Sequence, residues 1–93
     1  MAKLAKAKLN QAKDVFLSHG AKEVYLFGSR KAGGGTVHSD VDFAVVGLPI
    51  SKFFQAMGEV METVGLPVDL VDLDQDTSFT RYLRNHGDLV RLA

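Results

Sequence analysis

The sequence predicts a single α/β (α+β) domain in which helices pack on a small sheet of three to four strands. Three apolar runs rich in β-branched and aromatic residues indicate strands, and each is bounded by glycine, proline or polar residues. Around these runs lie stretches whose apolar residues recur at helical spacing. The chain has 93 residues, which suffice for one small hydrophobic core but not for two.

The first half of the chain predicts one helix and two strands. A helix is expected over residues 3–18, where apolar residues share one face and Gly20 follows as a stop. Glu23 to Phe27 predicts the first strand. Val41 to Val46 predicts the second strand, and its nearly continuous apolar character is typical of a central strand covered on both faces.

The second half predicts a β-α-β unit and a final helix. Ser51 is expected to cap a helix that Gly65 ends, with a core-facing stripe of Phe53, Phe54, Met57, Val60, Met61 and Val64. Val68 to Leu73 predicts the third strand, and the crossover makes it parallel to the second. The last helix is expected to end near His86, with Phe79, Tyr82 and Leu83 facing inward, and residues 89–92 are a candidate short strand.

Composition and charge narrow the functional classes. The chain has no cysteine, which excludes disulfides and thiolate metal sites. It has neither a membrane-length apolar run nor a signal-peptide core, so we expect no membrane association and a cytoplasmic location. Residues 1–38 contain seven basic and two acidic residues, whereas residues 39–93 contain four and nine. This asymmetry indicates either two solvated faces or adjacent sites for an anion and a cation, as a nucleotide with its metal ion would require.

Two aspartates separated by one residue, Asp40 and Asp42, open the second predicted strand. Their side chains should share one face, because side chains alternate along a strand. Carboxylates close to a core are costly unless they are paired or bind metal. Asp69 should lie level with them if the second and third strands are parallel, whereas Asp72 should face the opposite side. The pattern predicts a site for one or two divalent cations, and Mg²⁺ favours a few carboxylates together with water and phosphate oxygens.

The turn after the first strand supplies the other half of the predicted site. Backbone N–H groups at Gly28 and Ser29, with the serine hydroxyl, are suited to binding a phosphate, and Arg30 and Lys31 add positive charge. An antiparallel first strand would place this turn beside the aspartate pair. Each feature alone is also explained by an ordinary turn, a loop motif or a surface aspartate. Their order along the chain makes the combination more specific.

The chain from about Val24 to Leu92 resembles the nucleotidyltransferase superfamily related to DNA polymerase β, and most of all its minimal nucleotidyltransferase branch. The residues that carry the resemblance are Gly28-Ser29, Asp40-Val41-Asp42 after ten intervening residues, and the later strand acid Asp69. One departure is Ala32, where many relatives have a second arginine. The resemblance implies a mixed sheet and Mg²⁺-dependent transfer of a nucleoside monophosphate, expected to be AMP from ATP, to an acceptor hydroxyl.

The resemblance also implies roles for particular residues. The implied catalytic and metal-binding residues are Asp40, Asp42 and Asp69, which would hold two Mg²⁺ ions, with Mn²⁺ as a substitute. Asp69 would also help to deprotonate the acceptor. The implied nucleotide-binding residues are Gly28, Ser29 and Arg30. No role is assigned to His38 or to the glycines at 33–35.

Minimal relatives are commonly paired with a HEPN-type ribonuclease toxin, to whose tyrosine they attach AMP as antitoxins. The resemblance therefore implies a toxin protein and a nucleoside triphosphate as partners, without direct binding of nucleic acid. An open alternative is a non-catalytic antitoxin that neutralises its partner sterically. A small-molecule acceptor is less favoured, because no acceptor-binding domain is visible in the 93 residues. The oligomeric state stays open.

Overall fold

A computed structural model describes residues 6–27, 41–86 and 89–93. These residues form three helices and four strands. Their bounds in chain order are α1 Lys6–Ser18, β1 Glu23–Phe27, β2 Val41–Val46, α2 Ile50–Val64, β3 Val68–Asp72, α3 Ser78–His86 and β4 Val90–Arg91. The predicted α/β (α+β) class with a sheet of three to four strands is confirmed. Residues 3–5 of the predicted first helix lie outside the described residues.

The strands form one mixed sheet in the order β3-β2-β1-β4. β2 and β3 are parallel and are joined through α2, as predicted, while β1 is antiparallel to both β2 and β4. β2 is an interior strand whose two faces are both covered, because Phe43 lies in the main core and Ala44 lies in a smaller cluster. β3 forms one edge of the described sheet.

The main core lies between one face of the sheet and the helices α1 and α2. Phe16 of α1 and Phe43 of β2 are fully buried there, with their ring centroids 5.3 Å apart in an edge-to-face arrangement. Ala56 and Val60 of α2 are buried in the same cluster. A smaller cluster on the opposite face includes Leu83 of α3. The two clusters account for the burial of β2 on both sides.

The predicted apolar stripe of α2 is only partly buried. Val60 and Val64 are buried as expected, and Ala56 is buried with them. Phe54, however, is 72% exposed and Met61 is also exposed, so the prediction that the whole stripe is core was wrong for these two. The apolar arc of α2 is wider than the part of the helix surface that the sheet and α1 cover.

The prediction for α3 needs a similar correction. Leu83 is buried as expected, but Phe79 and Tyr82 are exposed, while Thr80 is buried. The Thr80 hydroxyl is satisfied locally, since it donates to the carbonyl oxygen of Gln75 at 2.6 Å. Burial of a threonine is therefore compatible with a small core.

Of the helices in the described part of the chain, none combines the length and hydropathy needed to cross a membrane.

The ends of α2 and β3 differ slightly from expectation. Pro49, rather than Ser51, is the residue that precedes α2, and it makes no side-chain capping hydrogen bond. Gly65 is the predicted stop: it adopts φ 71° and ψ 21°, and its N–H donates to the carbonyl oxygen of Met61 at 2.8 Å. β3 ends at Asp72, one residue before the predicted end at Leu73.

We expect Phe43→Ala to lower the free energy of unfolding by about 3–5 kcal/mol, because it leaves a cavity against Phe16. Phe54→Ala is the matched control, since this ring is 72% exposed, and its effect should stay within about 0.5 kcal/mol. Urea denaturation followed by circular dichroism measures both values. Similar losses for the two substitutions would contradict the observed core.

Candidate functional site

The described part of the candidate site lies where β2 and β3 begin. Asp42 pairs in register with Asp69 across these two parallel strands. Paired residues on neighbouring strands have side chains on the same face. By alternation this is the face of Ala44 and Val71, on which α3 packs. The structure therefore brings together two of the three predicted carboxylates, at the register that the sequence predicted.

The two carboxylates differ in their environment. Asp42 is half-buried because its strand lies inside the sheet, between β1 and β3. Asp69 is exposed because its strand forms the edge. A half-buried carboxylate requires compensating interactions, whereas an exposed one is accessible to a ligand from solvent. Asp42 is thus partly enclosed by the neighbouring strands, whereas the carboxylate of Asp69 is accessible to solvent.

Aromatic residues border the carboxylates on the side of β1. Phe27 is the register partner of Asp42, which confirms that the end of an antiparallel first strand lies beside this aspartate. The ring of Phe27 packs edge-to-face on Phe79 of α3, with centroids 6.2 Å apart. The sequence prediction missed this contact because it placed Phe79 in the core. No sequence pattern indicated this contact, because it depends on how α3 packs on the sheet.

Asp72 points away from this site, as predicted. It lines a groove on the other side of β3 together with Leu70. Its Oδ1 accepts a hydrogen bond from the backbone N–H of Asp74 at 2.9 Å. Asp69 and Asp72 are three residues apart on one strand, so they serve opposite faces of the sheet.

Tyr25 lies on the same face of the sheet as Phe27. Its hydroxyl donates to Oε1 of Glu23 at 2.6 Å, and the guanidinium of Arg91 lies 5.9 Å from the ring centroid. The hydrogen bond to Glu23 raises the pKa of Tyr25, and burial adds to the effect. The phenol consequently stays protonated at neutral pH and is a hydrogen-bond donor there, not a general base.

Several predicted residues lie outside the described part of the chain: Gly28, Ser29, Arg30 and Asp40, together with Lys31, His38 and residues 33–35. Among the described residues, no group of three or more His, Cys, Asp or Glu side chains could hold a metal ion. That finding covers Asp42 and Asp69 but does not include Asp40. The three-carboxylate site and the phosphate-binding turn therefore stay predictions.

The donor chemistry of the described pair fits a hard divalent cation. Asp42 and Asp69 offer carboxylate oxygens from adjacent positions, and Asp69 is open to solvent. Mg²⁺ prefers oxygen ligands and commonly combines one or two carboxylates with water and substrate phosphates. The pair is consistent with such a partial protein site.

Comparison with known proteins identifies a family that spans most of the chain. The family described as "Polymerase beta, Nucleotidyltransferase" matches residues 10–91. The match includes all four strands, α2 and α3, and all of α1 beyond its first turn. No curated protein sequence matches this chain.

Solved structures share the fold. A protein assigned as a minimal nucleotidyltransferase is 20% identical, with a TM-score of 0.71 and coverage of 88% of each chain. A toxin–antitoxin complex with AMP-PNP matches at 23% identity and a TM-score of 0.68, over 88% of this chain and 70% of that chain. The tri-AMPylated Shewanella oneidensis HEPN toxin in complex with its MNT antitoxin matches at 23% identity and a TM-score of 0.60, over 80% and 60% respectively. At these identities the comparisons establish the nucleotidyltransferase fold.

We expect Mg²⁺ or Mn²⁺ to raise the melting temperature of the protein, because a cation between the carboxylates stabilises the folded state. A ligand at roughly a hundredfold excess over its dissociation constant adds about 2.7 kcal/mol. Asp42→Asn and Asp69→Asn should diminish the shift in thermal denaturation. Asp72→Asn, on the same strand as Asp69 but facing the opposite side, is the matched control and should retain it. An unchanged shift in Asp69→Asn would contradict a shared site.

Proposed function

The chain belongs to the family described as "Polymerase beta, Nucleotidyltransferase", and from this premise we propose that it transfers AMP from ATP to a hydroxyl of a protein partner. The observation that carries the proposal is the register pairing of Asp42 with Asp69 on one face of the sheet. Membership of the family supports the reaction class. The pairing supports the assignment of these two carboxylates to the reaction centre.

The proposed reaction is an in-line displacement at the α-phosphorus of ATP. The acceptor oxygen forms a bond to this phosphorus, the bond to the β-phosphate oxygen breaks, and pyrophosphate leaves. The proton of the acceptor hydroxyl passes to Asp69, whose carboxylate is exposed and accessible. Magnesium, when bound, would stabilise the charge on the attacking and leaving oxygens.

The chain's residues have distinct proposed roles in this reaction. Asp40, Asp42 and Asp69 would hold the metal, and Gly28 and Ser29 would bind the triphosphate. Arg30 would add positive charge next to the phosphates. Much of the rate gain in phosphoryl transfer comes from positioning and charge stabilisation, so fixed carboxylates on neighbouring strands suit it.

A protein as the acceptor is supported by the structural relatives. One of them contains an AMPylated HEPN toxin together with its MNT antitoxin, and another is a toxin–antitoxin complex with AMP-PNP. We therefore propose a HEPN-type toxin as the partner and an antitoxin role for this chain. We also propose a cytoplasmic location for this chain.

The second candidate is a non-catalytic antitoxin that neutralises its partner by binding alone. Exposed apolar side chains on α2 favour it, because an interaction surface needs no catalysis. Ala32, where many relatives have arginine, also favours weaker nucleotide binding. The register pairing of Asp42 with Asp69 favours the catalytic proposal, because a purely steric role does not require two carboxylates at adjacent positions.

We expect the wild-type chain to transfer labelled AMP from ATP, in the presence of Mg²⁺, to the protein encoded beside its gene. Asp42→Asn and Asp69→Asn should each lower the rate by about 10²–10³-fold or more, because each removes charge from the reaction centre. Asp14→Asn is the matched control, since this aspartate is exposed on α1, and its rate should stay within about threefold. Autoradiography or intact-mass spectrometry of the partner measures the transfer.

Growth assays with the same variants separate the two candidate functions. If the partner is toxic when expressed alone, catalytic neutralisation predicts that Asp42→Asn fails to rescue growth although it still binds. Steric neutralisation predicts that Asp42→Asn rescues growth as wild type does. Rescue by this variant, without label on the partner, would overturn the catalytic proposal.

A further inference from the structure

A groove with apolar walls lies at the outer edge of β3, between the beginnings of α2 and α3. Its volume is about 350 Å³, and its walls include Leu70, Phe53, Ile50, Phe54 and Phe79. Ile50 is 69% exposed, Phe54 is 72% exposed and Phe79 is 51% exposed. Large apolar side chains grouped at the surface mark interaction sites more often than single exposed residues do.

Two residues of the groove wall pack against the main core, which holds the wall in position for binding a partner. Phe53 packs against the main core, and its ring contacts that of Phe54 edge-to-face with centroids 5.3 Å apart. Leu70 also packs against the main core from β3. Exposed aromatic rings that are held in place lose little conformational entropy when a partner covers them.

The end of β3 and the turn after it give the groove one acidic side, although Arg84 donates a hydrogen bond to the carbonyl oxygen of Leu73 in this turn at 2.7 Å. Residues 72–76, which comprise the end of β3 and the turn after it, contain three aspartates and no basic residue. Asp72 lines the groove, and Asp74 and Asp76 flank the lining residue Gln75. Asp72 and Asp74 accept hydrogen bonds from backbone N–H groups, which leave their charge in place. Arg81 contacts Asp76 at 3.5 Å, and both groups are exposed, so solvent weakens that pair.

Phe79 connects the groove to the candidate site. It lines the groove and also packs on Phe27, the register partner of Asp42. A protein seated in the groove would therefore lie next to the carboxylates. This adjacency is what an enzyme that modifies a macromolecule requires, because the acceptor hydroxyl must be held at the reaction centre.

We propose that this groove docks the protein acceptor, through a segment of the acceptor in which apolar side chains are flanked by lysine or arginine. The apolar side chains fill the groove between Phe54 and Phe79, and the basic residues face the aspartates of residues 72–76. The inference rests on the proposed function for the existence of a protein acceptor. It adds the surface and the chemistry by which that acceptor is recognised.

The test compares Phe54→Asp with Val90→Asp, using the protein encoded beside this chain's gene as the probe. Val90 is 51% exposed and lies in β4, at the opposite edge of the sheet, so it is a matched control. Phe54→Asp should weaken binding by at least about tenfold, and Val90→Asp should stay within about threefold. Biolayer interferometry measures the affinity, and thermal denaturation verifies that both variants fold.

Steady-state transfer kinetics and salt dependence add two independent measurements. Phe54→Asp should raise the KM for the protein acceptor while kcat stays near the wild-type value, because the reacting groups are intact. Wild-type affinity should fall as salt rises from about 0.05 M to 0.5 M, and Asp72→Asn with Asp74→Asn should flatten that dependence. Affinity that does not respond to salt would overturn the proposed basic segment.

The remaining outcomes distinguish this inference from the proposed function. If Phe54→Asp binds and transfers AMP as wild type does, the docking surface is overturned and the proposed function stands. If the wild-type chain transfers no AMP but Phe54→Asp still loses binding, the proposed function fails and the docking surface stands. If the wild-type chain does not bind the probe, the inference is overturned. Sedimentation as a dimer that Phe54→Asp converts to a monomer would assign the groove to a second copy and overturn it too.

Discussion

The parallel pairing of β2 with β3 is the interaction on which the candidate site depends. A parallel pair requires a crossover, and α2 supplies it with Ala56, Val60 and Val64 buried against the sheet. The same pairing places Val68 and Leu70 in or against the main core. A slip by one residue would turn Asp69 toward that core and Leu70 toward the site. Apolar burial therefore enforces the position of the carboxylate, although the carboxylate contributes nothing to the core.

Because side chains alternate along β3, this short strand contributes residues to two surfaces. Asp69 faces the carboxylate partner on β2, while Asp72 faces the groove beside α2. Two residues of the same type thus have different environments because they are three positions apart. The aromatic contact between Phe27 and Phe79 joins the two surfaces across the beginning of α3. The proposed reaction centre and the proposed docking groove are therefore neighbours in a chain of 93 residues.

The sequence predicted the strands and their register well, because these depend on local apolar patterns. The bounds of β1 and β2 were predicted without error, and the level position of Asp42 and Asp69 followed from a parallel crossover. Exposure of Phe54 and Phe79 was not predictable in the same way. Helical spacing identifies an apolar face, but the width of the sheet and the placement of neighbouring helices decide how much of it is covered.

The part of the candidate site that depends on strand geometry alone was predictable from the sequence. To predict that two carboxylates pair on one face, it was enough to know which segments are strands, how the strands run and that side chains alternate along them. The border formed by Phe27 and Phe79 needed the packing of α3 on the sheet, which the sequence pattern does not contain. The contributions predicted for Gly28, Ser29, Arg30 and Asp40 concern residues outside those the structure describes.

The edge position of β3 has a thermodynamic consequence for the carboxylate pair. In the described sheet this strand is hydrogen-bonded to a neighbour on one side only, whereas β2 has neighbours on both. Local opening of an edge strand needs less free energy than global unfolding. Any opening of β3 would separate Asp69 from Asp42. A ligand that bridges the two residues shifts the opening equilibrium of β3 toward the closed strand, so ligand occupancy and order at the sheet edge rise together.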